Sequence, residues 1–213
     1  TLTEEHIHTA RHAYLANVSY FDDMVGELLG ALARTGLAEN TVVVITSDHG
    51  DMLGEHGMWF KKHFLEHCLR VPLIISGAPS PGAGRSAANV SLVDLLPTLA
   101  ELGGVDANER APVPLDGQSL VGLCGASTSS FGDRPVLAEH TSEGVPEPMF
   151  MVKQGQHKLF TGGGVATSLF DLATDPHERH DIMGQPDSSV VAKRLQAIAD
   201  ETWDTDALSA AII

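Results

Sequence analysis

Cysteine, positive charge and long apolar runs are all in short supply in this chain. Two cysteines in 213 residues, Cys68 and Cys124, cannot build a disulfide framework, so the core must hold itself together by burial. Only 13 Lys and Arg stand against 28 Asp and Glu, a formal charge of −15. That excludes a nucleic-acid binder, whose affinity comes mostly from cations neutralising phosphates. No apolar run approaches the ~20 residues of a membrane span, so no membrane partner is expected. What remains is 43 % hydrophobic and 19 % charged. Such a chain is too apolar for disorder and long enough for a substantial core, in one domain or one with an appendage.

The pattern along the chain is that of an α/β protein. Ile7, Ala10, Tyr14, Val18, Phe21, Val25, Leu28 and Leu32 step by three or four residues. This predicts one long helix from about Thr3 to Arg34, with a capping box at Thr1 and Glu4 and a stop at Gly36. Thr41–Thr46 (TVVVIT) reads as a strand buried on both faces of a covered parallel sheet, and Val71–Ser76 as a second strand. Ser91–Leu102 reads as a helix capped by Asp94, which puts Pro97 in the first turn. Gly103 to about Asp133 reads as a linker or surface excursion. Beyond it, Val136–His140, Met149–Gln154, His157–Thr161 and Ser168–Leu172 read as short strands, with Gly155 in a hairpin turn. Gly162-Gly163-Gly164 reads as a flexible loop, and Ser188–Trp203 as a closing helix. The organisation expected is an α/β region over 1–133 followed by a small α+β subdomain over 134–213. The chain opens at Thr1, directly into the helix pattern, and is expected to be a fragment.

Chemistry concentrates in Thr46-Ser47-Asp48-His49-Gly50-Asp51, directly after the first strand. In α/β sheets ligands bind off the carboxyl ends of strands. A carboxylate and an imidazole there can share one divalent cation, and Gly50 allows a sharp turn behind them. On composition alone, a turn carboxylate beside a surface histidine is an equal reading.

The longer string Ser47-Asp48-His49-Gly50-Asp51-Met52-Leu53-Gly54-Glu55-His56-Gly57-Met58-Trp59-Phe60-Lys61 resembles the sulfatase branch of the alkaline-phosphatase superfamily. The resemblance continues through Arg70-Val71-Pro72-Leu73-Ile74-Ile75, Val93-Asp94-Leu95-Leu96-Pro97-Thr98-Leu99, Leu169-Phe170-Asp171-Leu172 and Asp175-Pro176-His177-Glu178. Within the family, Ala13–Asp23, Glu66-His67-Cys68-Leu69-Arg70 and Trp203-Asp204 are most similar to the choline-sulfatase branch. The resemblance implies the C-terminal part of an alkaline-phosphatase-like α/β/α sandwich, followed by an α+β subdomain with an antiparallel sheet. It implies that Asp48 and His49 are metal ligands. It also implies that Lys61, thirteen positions past Asp48, contacts the sulfate or phosphate of the substrate. Glu139 and Glu143 stand where the choline-sulfatase pattern also has carboxylates; either could hold a cationic head, or be salt-bridged or solvated. The activity implied is hydrolysis of a small sulfate ester, choline sulfate first, with a phosphonate or phosphate ester hydrolase as the sister reading. Calcium is the metal expected, with manganese, magnesium and zinc open. A homo-oligomer in the cytoplasm is expected.

One departure stands out. The family's formylglycine arises from Cys (or Ser) in a Cys-x-Pro-x-Arg context, and neither Cys68-Leu-Arg-Val-Pro nor Cys124-Gly-Ala-Ser-Thr fits. The nucleophile is therefore expected in an N-terminal half outside this chain, which alone would be inactive or a non-catalytic module. Among the other candidates, His63 and His67 are spaced to share a helix face, but the zinc pattern would need Glu beside the first. His6, His8 and His12 read as a solvated helix face, Cys68 as a small buried apolar residue, and Asp171 and Asp175 as turn formers.

Overall fold

The computed structural model describes residues 2–77, 84–124, 131, 133–141, 145 and 147–212, with side chains through 210. It divides into two units. The first comprises Thr1–Lys61 and His67–Gly82, the second Lys62–Glu66 and Ala83–Ile213.

The first unit opens with helix α1 (Glu4–Arg34). Its capping box is built by Thr3 and His6, not by Thr1 and Glu4. An imidazole at the third helical position can reach back to the cap N–H as a carboxylate would. At the other end Gly36 has φ +73°, Leu37 N–H reaches Leu32 O and Gly36 N–H reaches Ala33 O. Those are the two bonds of a Schellman stop, and glycine is there because the left-handed backbone requires it. The apolar stripe read from the spacing exists, yet no α1 side chain is buried.

Strand β1 (Val43–Thr46) follows, then the short β2 (Met52–Leu53) and β3 (Trp59–Phe60), helix α2 (Glu66–Leu69) and β4 (Leu73–Ser76). Among the described residues β1 pairs only with β4, antiparallel, with Val44 opposite Ile75. The expected burial on both faces is not found: all four β1 residues are half-buried. A β-branched run fits any pleated surface, and covering layers are a separate requirement. β2 and β3 form a second, two-stranded ribbon.

In the second unit the expected helix over Ser91–Leu102 splits. Leu92–Asp94 is a 3₁₀ turn capped reciprocally by Ser91 and Asp94, and α3 runs over Leu95–Leu102. The Asp94 side chain makes no cap bond to α3. It is fully buried and accepts from Ser91 N–H (2.8 Å), Gln118 N–H (2.9 Å) and the Arg134 guanidinium. The stretch after α3 is therefore more than a linker. It carries α4 (Ala107–Arg110) and a 3₁₀ turn at Val121–Cys124, and Leu120 N–H donates to Thr98 Oγ1 at 2.8 Å.

The four-stranded antiparallel sheet follows the sequence order: β5 (Val136–His140), β6 (Met149–Gln154), β7 (His157–Gly162) and β8 (Val165–Asp171). Gly155 (φ +57°) turns β6 into β7. Gly163 and Gly164, at φ +54° and +79°, form a two-residue hairpin turn between paired Gly162 and Val165, so the triple glycine is a tight turn, not a flexible loop. Helix α5 (Ser189–Thr202) lays Leu195 and Ala199 onto Val152, Leu159 and Leu169, the core of this unit. A final helix, α6 (Thr205–Ile212), was not legible in the sequence. The far side of the sheet is covered by Phe64, which packs on Phe160 beside Phe170. No helix among the described residues is long and apolar enough to cross a membrane.

Candidate active site

β1 delivers its last residue, Thr46, into a compact turn. Ser47 Oγ donates to His49 O at 2.7 Å, and His49 N–H donates to an Asp48 carboxylate oxygen at 3.0 Å. Gly50 makes the return possible. Its N–H donates to Cys68 O at 2.8 Å, and a Cβ there would stand 1.9 Å from His67 O, so no larger residue fits without moving backbone.

The His49 ring is fixed from behind. Nδ1 lies 2.9 Å from Gly50 O; a carbonyl only accepts, so Nδ1 carries the proton. Nε2 then presents a lone pair. This is the usual way in which a backbone carbonyl selects the tautomer of a metal-binding histidine. That lone pair lies 3.4 Å from an Asp48 carboxylate oxygen and accepts from the Lys61 ammonium at 2.8 Å. Asp48, His49 and Lys61 thus stand together after the end of β1. The Asp48 side chain is 83 % exposed. Its pKa is held below the ordinary value, mainly by the His49 N–H bond; desolvation opposes this, and His49 and the Ser47 hydroxyl add to the lowering. It is a carboxylate at neutral pH.

Lys61 owes its direction to unusual backbone on both sides. Phe60 has φ +67° and Lys62 φ +78°, the left-handed region that non-glycine residues enter at a cost of about 1–2 kcal/mol. Strain of this kind persists where the surroundings over-determine it. On the other side of the turn Glu55 closes the β2–β3 ribbon. Leu53 N–H donates to it at 2.6 Å, and Arg11 of α1 stands 3.5 Å away while also donating to Leu53 O. Burial pushes the Glu55 pKa up, but the Leu53 N–H bond, its own backbone and the His67 and Arg11 charges outweigh it, leaving a net lowering.

Asp48 and His49 fit a divalent cation as two donors, one hard carboxylate and one oriented imidazole. Among the described residues no group of three or more His, Cys, Asp or Glu could hold a metal. His63 and His67 do not share a helix face: α2 begins only at Glu66, and the His63 ring packs edge-on against Phe160. Cys68 is buried, and Asp171 and Asp175 accept bonds from Ala173 and His180 N–H as turn formers. Glu139 belongs to the second unit, on β5, where it accepts from Trp203 Nε1 at 2.9 Å while that indole stacks on Phe150. Glu143 lies outside the described residues.

Sequence reading missed one charged cluster. Lys158, on β7, is fully buried. Its ammonium meets Glu66 at 2.7 Å, Glu178 at 2.6 Å and Phe64 O at 2.8 Å, while Glu66 N–H donates to Glu178 at 2.7 Å. The available signal was a lysine amid the apolar residues of a strand flanked by other buried strands.

The comparisons agree with this geometry. The sequence profile of the family described as Sulfatase matches residues 3–105. The choline-sulfatase of Rhizobium meliloti is 38 % identical over 99 % of this chain and 41 % of its own length. A protein solved in complex with its substrate D-glucosamine-2-N,6-O-disulfate superposes with a TM-score of 0.73 at 28 % identity, over 89 % of this chain and 39 % of its own. The phosphonate monoester hydrolase of Agrobacterium radiobacter shares the fold, with a TM-score of 0.76 at 24 % identity over 99 % of this chain and 43 % of its own. The chain thus spans about two fifths of the length of these relatives. A mixed α/β chain with this turn, this lysine and these likenesses belongs to the sulfatase family.

Proposed function

We propose that this chain is the C-terminal portion of a metal-dependent sulfuric ester hydrolase acting on choline sulfate. The observation that carries the reading is the convergence of the Asp48 carboxylate, the His49 Nε2 lone pair and the Lys61 ammonium at the carboxyl end of β1. Hydrolysis of a sulfate ester builds negative charge on the leaving oxygen, and preorganised cations are the groups that stabilise it. Lys61 supplies one such charge. Its ammonium has three N–H groups; the one now given to the His49 lone pair would be released by a cation bound there, leaving all three to bind and orient a sulfate. His49 is held as the Nδ1–H tautomer, so its lone pair and the Asp48 carboxylate are the donors this chain offers a cation, calcium being the first choice. A divalent cation bound there would act as a Lewis acid on the sulfate oxygens. The chain's charge of −15 opposes an anion but suits a quaternary ammonium, which carboxylates such as Glu139 and Glu143 and aromatic faces can hold. The nucleophile, a formylglycine, would come from outside these residues, and the chain alone would not turn over.

The test is steady-state kinetics on the whole protein with choline sulfate, an aryl sulfate and phenylphosphonate. Lys61→Ala should lower kcat/KM by about 10²–10³, the usual loss for one charge-stabilising donor, while Lys62→Ala changes little. Folding and metal content are checked for both. A crippled Lys62→Ala with an active Lys61→Ala would misplace the anion-binding lysine by one residue. If phenylphosphonate is preferred, the substrate assignment fails and the sister activity replaces it.

A further inference from the structure

The β2–β3 ribbon is two residue pairs long, Met52 opposite Phe60 and Leu53 opposite Trp59, and Lys61 is the next residue after it. An isolated two-stranded ribbon is marginal at best in water, so something outside it has to hold it. Phe60, at its end, has the left-handed backbone that persists only where the surroundings over-determine it. Arg11, in the first half of α1, makes an outside connection of this kind. Its Nε donates to Leu53 O at 2.8 Å, 42 residues on, and a terminal guanidinium nitrogen stands 3.5 Å from Glu55. Glu55 in turn accepts from Leu53 N–H at 2.6 Å. Both backbone groups of Leu53 are thus engaged by this pair of side chains. The packing around them is close: a Cβ on Gly54 would stand 3.3 Å from the Trp59 ring and 3.5 Å from the Arg11 guanidinium. All of these groups belong to the first unit.

We propose that Arg11 is a positioning residue for the candidate site: by tying the β2–β3 ribbon to α1 it sets where the Lys61 ammonium stands. The proposal rests on the reading of Lys61 as the anion-binding lysine. Arg11 spends its hydrogen bond and its ion pair on Leu53 and Glu55, so its effect on an anion at Lys61 passes through the ribbon. Arginine suits the task. Its planar fork serves a carbonyl and a carboxylate together, which the point charge of a lysine does not do in the same geometry. With side chains 46 % and 28 % exposed, the Arg11–Glu55 pair adds little to the stability of the fold. Position is another matter, because a displacement of about 1 Å at a catalytic group can cost as much as 10²-fold in rate.

Two measurements test it. In this chain, labelled with nitrogen-15 histidine, the His49 Nε2 resonance reports the hydrogen bond from Lys61. His49→Gln identifies the resonance by its loss, and Lys61→Ala gives its position without the bond. Arg11→Ala should move the resonance toward that position and Arg11→Lys part of the way, with the fold retained by circular dichroism. Arg34→Ala removes the same charge from the last turn of α1 and should leave the resonance in place. In the whole protein, kinetics with an aryl sulfate complete a double-mutant cycle. Arg11→Ala should lower kcat/KM about tenfold, the scale of one lost charge-assisted hydrogen bond. Where Lys61 is already alanine it should change kcat/KM by less than about twofold, the scatter of independent sites. An unmoved resonance in Arg11→Ala, an equal shift in Arg34→Ala, or the same loss of kcat/KM in both backgrounds would overturn the proposal. If Lys61→Ala itself leaves kcat/KM unchanged, it is the functional reading of Lys61 that fails, and the histidine resonance alone then decides whether Arg11 sets the position of that lysine.

Discussion

Replacing Lys158 by methionine keeps the length of the side chain and removes its charge. In the native chain each of the three ammonium protons has an acceptor: Glu66 at 2.7 Å, Glu178 at 2.6 Å and Phe64 O at 2.8 Å. Lys158→Met leaves two carboxylates facing each other without a cation, and the Glu178 side chain is fully buried. Removing one partner of a buried pair costs about 3–5 kcal/mol, because the remaining charge is left uncompensated. Against a total stability of about 5–15 kcal/mol this is a large share. With a urea slope of about 2 kcal/mol/M, a loss near 4 kcal/mol lowers the midpoint by about 2 M. The assay is urea unfolding followed by fluorescence in a Trp59→Phe background, where Trp203, stacked on Phe150, reports the second unit alone. Adding Glu178→Gln removes one of the stranded charges, so in the Lys158→Met background it should restore part of the loss, whereas in the native background it should destabilise. A loss below about 1 kcal/mol for Lys158→Met, or the same effect of Glu178→Gln in both backgrounds, would show that the three groups are not coupled and refute the reasoning.

Gly50→Ala should destabilise the first unit by at least about 1–3 kcal/mol, the usual range for overpacking, since its Cβ would stand 1.9 Å from His67 O; thermal unfolding read through Trp59 measures it. The chain alone should bind calcium or manganese weakly, because Asp48 and His49 supply two of the six or more donors these ions take; single-site nanomolar binding by calorimetry would contradict it. Glu55 has a lowered pKa in the folded state, so its ionised form stabilises at neutral pH. That contribution should persist down to the ordinary glutamate value of 4.5 and disappear as pH falls through the lower folded value. In urea midpoints of the native chain and Glu55→Gln between pH 3 and 7, roughly, the gap should close only at the acid end.

The small antiparallel subdomain was legible because local signals and tertiary context agree there. Each of its strands ends at a turn whose chemistry is local, as at Gly155, and α5 meets the sheet with the stripe its spacing announces. At the candidate site Asp48 and His49, marked by their place after a strand, are held by the turn after β1, and Lys61, marked by the family resemblance, lies 2.8 Å from His49 Nε2. What was not legible depends on groups far apart in the chain. Asp94 was read as a helix cap on its immediate neighbours, whereas its charge is neutralised by Arg134, forty residues on. The pairing of Lys158 is hidden in the sequence because its partners, Glu66 and Glu178, stand 92 and 20 positions away.

The two places where pattern and burial disagree point the same way. The α1 stripe has the spacing of a covered helix, and β1 has the composition of a strand covered on both faces, yet neither is covered by the described residues. Apolar periodicity records what a segment was selected to face, and burial records what it faces in the chain at hand. A gap between them in one element could be tolerated surface apolarity. Both gaps, in a 31-residue helix and again in the strand that follows it, lie in the first unit, the part of the chain that carries Asp48 and His49.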